Sequence, residues 1–210
     1  MSHAPPQTVY VVDDDSSTRE LLAWLMKRHA IACETFADAE AFLERYRAGG
    51  PGCLVLDLHM PGMSGLEVQR VLKKQGVQIP VIFLSGRADV STAVQAVKSG
   101  AFDFIEKPFD YKRIVALVRD CLARDLQLRA ERGRQELAAA RIGQLTQRER
   151  EVMERVVAGH PNRVIGEQLD ISIKTVEAHR AHIMEKLEVN SVAELVQAAL
   201  EAKAATPPVR

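Results

Sequence analysis

Charge imbalance is the first thing missing. The chain of 210 residues carries 28 Lys+Arg and 28 Asp+Glu, a formal net charge of zero. Composition therefore points to no nucleic-acid or membrane partner. Cysteine is scarce: Cys33, Cys53 and Cys121 are odd in number and sit in apolar contexts. They read as reduced core residues of a cytosolic protein rather than as a disulfide scaffold. No apolar run approaches the roughly 20 residues of a membrane span. The opening residues, Met1 to Pro6, hold no apolar signal core, so a cytoplasmic location is expected. There are no internal repeats, no Walker sequence and no Gly-rich nucleotide loop, which argues against a nucleotide-hydrolysing enzyme.

What is there is ordinary globular material, 47% hydrophobic and 27% charged, long enough for one or two domains. The most telling stretch runs from Cys53 to Gly65. An apolar run, Cys53 to Leu56, ends abruptly in Asp57 and is followed by Pro61 and Gly62. That pattern reads as a buried strand entering a loop. Similar short strands are expected at Thr8–Val12, Ala30–Phe36, Ile79–Leu84 and Phe102–Ile105. Helices are expected after each: from Ser17 with Glu20 as a capping box, from Asp38, over Leu66–Lys74, over Val90–Ser99, and from Asp110. Five βα units in about 115 residues argue a parallel sheet covered by helices on both faces. The expected strand order is 2-1-3-4-5, the flavodoxin-like arrangement, with ligands bound at the carboxyl tips of the strands.

Several chemical groups fall at those tips. Asp13 and Asp14 follow the first strand and Asp57 ends the third, a neighbour of the first in this order. Three carboxylates that close repel one another. A divalent cation with oxygen ligands, Mg²⁺ or Mn²⁺, removes the conflict and binds phosphate oxygens. Ser85 follows the fourth strand and offers a hydroxyl; Lys107 follows the fifth and offers an ammonium. A cis Lys107–Pro108 bond would aim that ammonium inward. Taken singly, these residues have plainer readings: helix caps for Asp13, Asp14 and Asp15, a surface lysine, a turn serine. Their conjunction at strand ends reads as a phosphoryl-transfer site with Asp57 as nucleophile.

Helical character continues from about Ile114 to Ile142, either as a long exposed helix or as a linker. Arg124, Arg129, Arg132, Arg134 and Arg141 in it read most simply as solvated charges. A coupler between domains or a dimer seam is the sharper alternative, against which Gly133 counts, since glycine costs about 1 kcal/mol inside a helix. A second domain begins near Leu145, with Thr146 and Glu149 as a capping box. Pro161 is expected at a helix start, Asp170-Ile171-Ser172 is a tight connection, and Ser191 with Glu194 caps a last helix. Four short helices with this connection fit a helix-turn-helix. Placed at 100° per residue, Val176, Ile183 and Leu187 share the inward face of the helix Lys174–Leu187. Lys174, Ala178, Ala181 and Glu185 lie opposite with His182 beside them, a thin face suited to a major-groove floor. Thr175, His179, Arg180 and Lys186 flank it, within reach of phosphates. Arg180 also reads as a core-edge arginine with its head in water. From Gln144 onward there are nine Lys+Arg against ten Asp+Glu, so any basic footprint is local and pairing on two half-sites is the natural remedy for weak binding.

Residues 8 to about 122 resemble a two-component receiver domain, through Val12-Asp13-Asp14, Asp57-Leu58-His59-Met60-Pro61-Gly62-Met63-Ser64-Gly65, Ser85-Gly86 and Lys107-Pro108-Phe109. Leu145-Thr146, Glu149, Gly159, Asn162, Ile165, Leu169 and Lys174-Thr175-Val176-Glu177-Ala178-His179-Arg180 resemble a LuxR-type output domain. The whole is similar to NarL/FixJ-family response regulators, closer to the FixJ-like branch. The resemblance implies a receiver over 7–122, a helical linker over 123–143 and a four-helix DNA-binding domain over 144–204. It implies phosphorylation of Asp57 by a sensor histidine kinase and Mg²⁺ held by Asp13, Asp14, Asp57 and the backbone carbonyl of His59. Ser85 and Lys107 would stabilise the phosphoryl group, and Phe104 would be the switch aromatic. It implies DNA contacts from Lys174, Thr175, Glu177, Ala178, His179 and Ala181, to which the flanking Arg180 and Lys186 are added. Partners are then the kinase, promoter DNA, a second copy on phosphorylation and, as a further candidate, RNA polymerase; no membrane is implied. The chain would be no enzyme beyond slow autodephosphorylation. Glu177 stands where some relatives carry lysine, so base preference does not transfer. Gly166 stands where alanine is usual and would loosen its helix.

Overall fold

The computed structural model describes residues 7–46, 50–86 and 98–205. The chain divides into two compact units between Arg129 and Ala130. The first contains β1 (Thr8–Val12), α1 (Ser16–Arg28), β2 (Ala32–Phe36), α2 (Ala39–Arg45), β3 (Gly52–Asp57), α3 (Gly65–Lys74), β4 (Val81–Ser85) and β5 (Asp103–Glu106). The helix expected over Val90–Ser99 lies almost wholly outside the described residues. The strands form one parallel sheet in the order β2-β1-β3-β4-β5, as the alternation of elements implied.

Side chains on the central strands alternate between two cores, as the two-residue period of a strand demands. Cys53 and Val55 of β3, with Ile82 and Leu84 of β4, face Leu22, Leu25 and Met26 of α1 and Ile114 and Val118 of the following helix. Leu54, Leu56, Val81 and Phe83 face Phe42 of α2 and Val68 and Leu72 of α3. Burial on both faces explains why β3 and β4 read as continuous apolar runs. All three cysteines are free. Burial pushes the Cys33 thiol up to about 12. A hydrogen bond with Cys53, aided by burial, raises that of Cys121, so neither is a thiolate near neutral pH.

Helix starts are set by local side chains, and one differs from expectation. α1 is capped by Asp15, whose carboxylate accepts the Ser17 N–H at 3.0 Å and the Thr18 hydroxyl at 2.8 Å. The Ser17–Glu20 box is therefore not the cap: the carboxylate two residues earlier takes the Ser17 amide. α3 opens with Ser64 and Glu67 as a reciprocal capping box.

A single continuous helix, α4, runs from Tyr111 to Gly143 through Gly133. Several of its arginines are not simply solvated charges, Arg134 lying 3.8 Å from Glu201. Arg129 donates to Asp125 at 2.6 Å and to the Gly50 carbonyl at 2.5 Å. Asp125, 1% exposed, also accepts the Gly52 N–H at 2.9 Å. In the second unit Arg141 donates to the Leu187 carbonyl at 3.1 Å and to Glu188. Carbonyls at the start of a strand and the end of a helix lack partners of their own, and these guanidinium groups supply them.

The second unit continues with α5 (Gln147–Val157), α6 (Asn162–Leu169), α7 (Ile173–Leu187) and α8 (Val192–Ala205). Thr146 and Glu149 form the expected capping box of α5. Pro161 caps α6 from just outside rather than as its first residue. Asp170, with φ 55°, turns the chain between α6 and α7, and Ser172 caps α7. The core comprises Val152, Met153 and Val156 of α5, Ile165 and Leu169 of α6, Val176, Ile183 and Leu187 of α7, and Leu195 of α8. Each such burial contributes about 1.5–3 kcal/mol. Gly166 has a packing reason: a Cβ there would stand 2.8 Å from the Ile171 carbonyl oxygen, in the turn between α6 and α7.

Gly65 bears directly on the strand tip. A Cβ at this position would collide with the backbone carbonyl of Asp57 and crowd Leu56. Gly65→Ala is expected to destabilise the first unit by about 1–3 kcal/mol through overpacking, measured as a lowered denaturation midpoint followed by the fluorescence of Trp24, the one tryptophan. An unchanged midpoint would contradict the tight packing of α3 on the end of β3.

Candidate functional site

The register of β1 on β3 pairs Val12 with Leu56. The next residues, Asp13 and Asp57, therefore emerge side by side at the carboxyl edge. Asp13 is fully buried and Asp57 is 4% exposed. One carboxylate oxygen from each of Asp13, Asp14 and Asp57 lies within 4.8 Å of the others. Lys107 enters from the end of β5, its ammonium 2.7 Å from Asp13 Oδ2 and 3.1 Å from Asp57 Oδ1. The Lys107–Pro108 bond is cis. The Lys107 N–H donates to the Ser85 carbonyl at 2.7 Å, which holds the tips of β4 and β5 together. Ser85 is fully buried, and the half-buried Phe104 packs on the core that contains Phe83.

Three carboxylates face one ammonium, so the crevice keeps an excess of negative charge. Burial raises the Asp13 carboxyl above the ordinary aspartate range, against the opposing hydrogen bond and charge of Lys107. Burial by itself would lower the Lys107 ammonium, but its hydrogen bond to Asp13 and the charges of Asp13 and Asp57 outweigh it, and the net shift is upward. Hard oxygen donors with uncompensated charge suit a divalent cation, which this cluster could hold. Asp15 is not part of the cluster's donor set. Its two oxygens cap α1, and these hydrogen bonds, Thr18 first and then Ser17, lower its carboxyl. The His59 ring is exposed, while its N–H donates to Asp57 Oδ2 at 3.2 Å. Sequence reasoning missed Arg19, whose guanidinium donates to the carbonyls of Asp13 and Asp14 at 2.7 and 2.9 Å. It steadies the loop carrying both acids, and an arginine on a helix face gives no signal of this in sequence.

α7 presents the expected faces. Val176, Ile183 and Leu187 are buried; Lys174, Thr175, Glu177, Ala178, Ala181, His182 and Glu185 are exposed; His179 is half-buried. Two flanking cations are already engaged. Arg180 donates to Asn162 Oδ1 at 2.7 Å, tying α7 to the start of α6. Lys186 lies 2.7 Å from Glu149 Oε2, so its ammonium is held inside the unit rather than standing free for a phosphate. Arg148 binds Glu151 at 2.9 Å and the Leu169 carbonyl, and Arg155 binds Gln168 at 3.0 Å and the Glu151 carbonyl at 2.8 Å. Local charge cannot be read from a residue count alone, because much of it is paired internally.

A parallel sheet with an acidic crevice, followed by a helix-turn-helix, defines a signal-receiving DNA-binding regulator. The model of the response regulator receiver domain matches residues 9–119, and that of the bacterial regulatory proteins of the luxR family matches residues 143–199. The chain belongs to the two-component response regulators of the NarL/FixJ family, in the FixJ-like branch. It is 45% identical to the transcriptional regulatory protein FixJ of Azorhizobium caulinodans over 199 residues, covering 91% of each chain. It is 40% identical to the response regulator protein TodT of Pseudomonas putida, covering 90% of this chain and 83% of that one. Among solved structures it is similar to the response regulator StyR, with a TM-score of 0.82 and 38% identity over 93% of this chain and 99% of the other. Full-length FixJ from B. japonicum gives a TM-score of 0.59 and 36% identity over 95% and 98%. The protein is a DNA-binding response regulator that controls transcription. No helix among the described residues is long and apolar enough to cross a membrane.

The Glu149–Lys186 pair carries an acid-dependent share of stability. The Lys186 hydrogen bond, together with the Thr146 amide and hydroxyl, outweighs burial and lowers the Glu149 carboxyl to about 2. A carboxylate whose folded value is depressed stabilises the fold fully above its unfolded value of about 4.3, and the contribution fades as pH falls toward 2. The Lys186 side chain is 36% exposed, so screening limits the contribution to on the order of 2 kcal/mol. Glu149→Gln should lower helix stability by that order at pH 7 and by almost nothing at pH 2, followed by ellipticity at 222 nm during denaturation. An equal loss at both values would show that the charge is not what matters.

Proposed function

We propose that Asp57 accepts a phosphoryl group from the histidine of a sensor kinase, and that this controls promoter binding by α7. The observation that carries the reading is the Lys107 ammonium bridging Asp13 and Asp57 within a cluster of three carboxylates. In this reading residues 7–122 are the receiver, 123–143 the linker and 144–204 the output domain. Asp57 Oδ attacks phosphorus while the kinase imidazole leaves. Lys107 offsets charge on the incoming phosphoryl oxygens, and the Ser85 hydroxyl donates to one of them once the acyl phosphate has formed. Mg²⁺ (or Mn²⁺) held by Asp13, Asp14, Asp57 and the His59 carbonyl would supply further positive charge at the same oxygens. Water slowly hydrolyses the acyl phosphate, which makes autodephosphorylation a timer.

Phosphorylation adds charge and acceptor oxygens beside Ser85. The Ser85 hydroxyl and the Phe104 ring then reposition, altering the surface around β5, which promotes pairing with a second copy and/or release of the output domain. Lys174, Thr175, Glu177, Ala178, His179 and Ala181 contact DNA. Arg180 and Lys186 contribute mainly by fixing α7, given their bonds to Asn162 and Glu149. A unit with so many of its cations paired internally binds weakly alone, and pairing on two half-sites raises its effective concentration. RNA polymerase is the further partner, and the cytoplasm is the site of action.

Asp57→Asn is expected to abolish acyl-phosphate labelling by a phosphodonor and the accompanying gain in DNA affinity. Undiminished labelling of this variant would overturn the assignment of the nucleophile. Mg²⁺ at millimolar concentration is expected to raise the thermal midpoint of the wild type, since a ligand that binds only the folded form stabilises it. The rise should vanish in Asp13→Asn/Asp14→Asn; its persistence would place the ion elsewhere.

A further inference from the structure

The recognition helix carries an acid where a DNA-binding surface is expected to be basic. Glu177 is exposed and has no hydrogen-bond or ion-pair partner among the described residues. It differs in this from Glu149, Glu151, Glu188 and Glu201 of the same unit, each paired with a cation. It is the fifth residue of α7, in the N-terminal half that a recognition helix presents to base edges. Ala178 and Ala181 beside it are also exposed. Side chains this short let the helix backbone approach the groove floor, so a glutamate at 177 reaches base edges rather than stopping at the rim. Glu185 is the other unpaired acid exposed on α7, but it lies in the C-terminal half.

A carboxylate brought between two phosphate backbones is repelled by both and loses its water. It is tolerated only where the bases return a hydrogen-bond donor. In the major groove the donors are the cytosine N4 and adenine N6 amino groups. In an A·T pair the amino group is flanked by two acceptors, adenine N7 and thymine O4, and both repel a carboxylate. In a C·G pair one flank is the acceptor O6 of guanine, and the other is an apolar C–H. Cytosine therefore offers an ionised, acceptor-only side chain the better site.

We infer that Glu177 is the specificity-determining residue of α7, its carboxylate accepting a hydrogen bond from the N4 amino group of a cytosine at one position of each half-site. The inference rests on the reading of α7 as the DNA-contacting helix and adds the base that this helix selects. It assigns the acid a discriminating role: at any other base pair the carboxylate remains unsatisfied, so non-cognate sequences are rejected.

The test is selection from a duplex library with randomised half-sites, using the full chain with and without beryllofluoride and Mg²⁺, for wild type, Glu177→Gln and Glu177→Ala. The wild type should enrich a motif in which one position is C·G, by roughly 5- to 150-fold over other pairs. Glu177→Gln, which can pair with adenine N6 and N7 at once, should move that one position toward A·T and leave the rest of the motif unchanged. Glu177→Ala should flatten the same position only, while binding the remaining motif. A merely structural role would weaken all positions together and change the base at none. Identical motifs from all three proteins would overturn the inference while leaving DNA binding intact. A wild type that enriches no motif would overturn the DNA-binding reading itself.

Discussion

The pairing of β1 with β3 is the constraint on which the molecule turns. Because Val12 stands opposite Leu56, each strand hands its next residue, an aspartate, to the same crevice. Two carboxylates that share a buried edge are unfavourable neighbours, and the Lys107 ammonium between them partly offsets the repulsion. The remaining imbalance suits the crevice to a divalent cation, which the three carboxylates could hold. Consistent with this, burial leaves the Asp13 carboxyl above its ordinary range even beside a lysine.

The opposite ends of β3 are treated differently. The carboxyl end is left electrostatically tense, while the amino end is tied down. Asp125 and Arg129 of α4 bind the Gly52 amide and the Gly50 carbonyl there. An ion pair with one carboxylate buried to 1% exposure contributes little net stability, but breaking it would leave an uncompensated charge. Its effect is to fix where α4 meets the floor of the sheet. Movement at the tip of β3 then works against a strand whose other end is held.

In the helical unit, polar contacts define the orientation of α7 rather than add to its charge. Asn162 holds Arg180 and Glu149 holds Lys186, so the helix is anchored at both halves to the elements behind it. Among the described residues the outward face of α7 carries few free cations, Lys174 the clearest. In the proposed DNA-bound state such a face would derive little affinity from phosphates and more from fit and from base-edge contacts.

Much of this was legible in the order of residues. Alternating apolar runs and helical periods specify the five parallel strands and the helix-turn-helix, because side-chain periodicity is a local property of strands and helices. Asp13, Asp14, Asp57, Ser85 and Lys107 could be placed at strand ends from that pattern alone, and Val176, Ile183 and Leu187 on one buried face. The sequence offered both Asp15 and the Ser17–Glu20 pair as caps of α1; Asp15 takes the role, because the two compete for the same amides and only geometry decides between them. The packing constraint at Gly166 was not legible, because the carbonyl of Ile171, five residues on, comes close to it only after the chain has turned. Tertiary structure alone decided several polar partners: Arg129 on the Gly50 carbonyl, Arg180 on Asn162, Lys186 on Glu149. These contacts form between surfaces brought together by burial of other residues, so the partners are set by packing at a distance and leave no spacing in the sequence to read; Arg129 on Asp125, an i,i+4 pair on one helix, is the local exception.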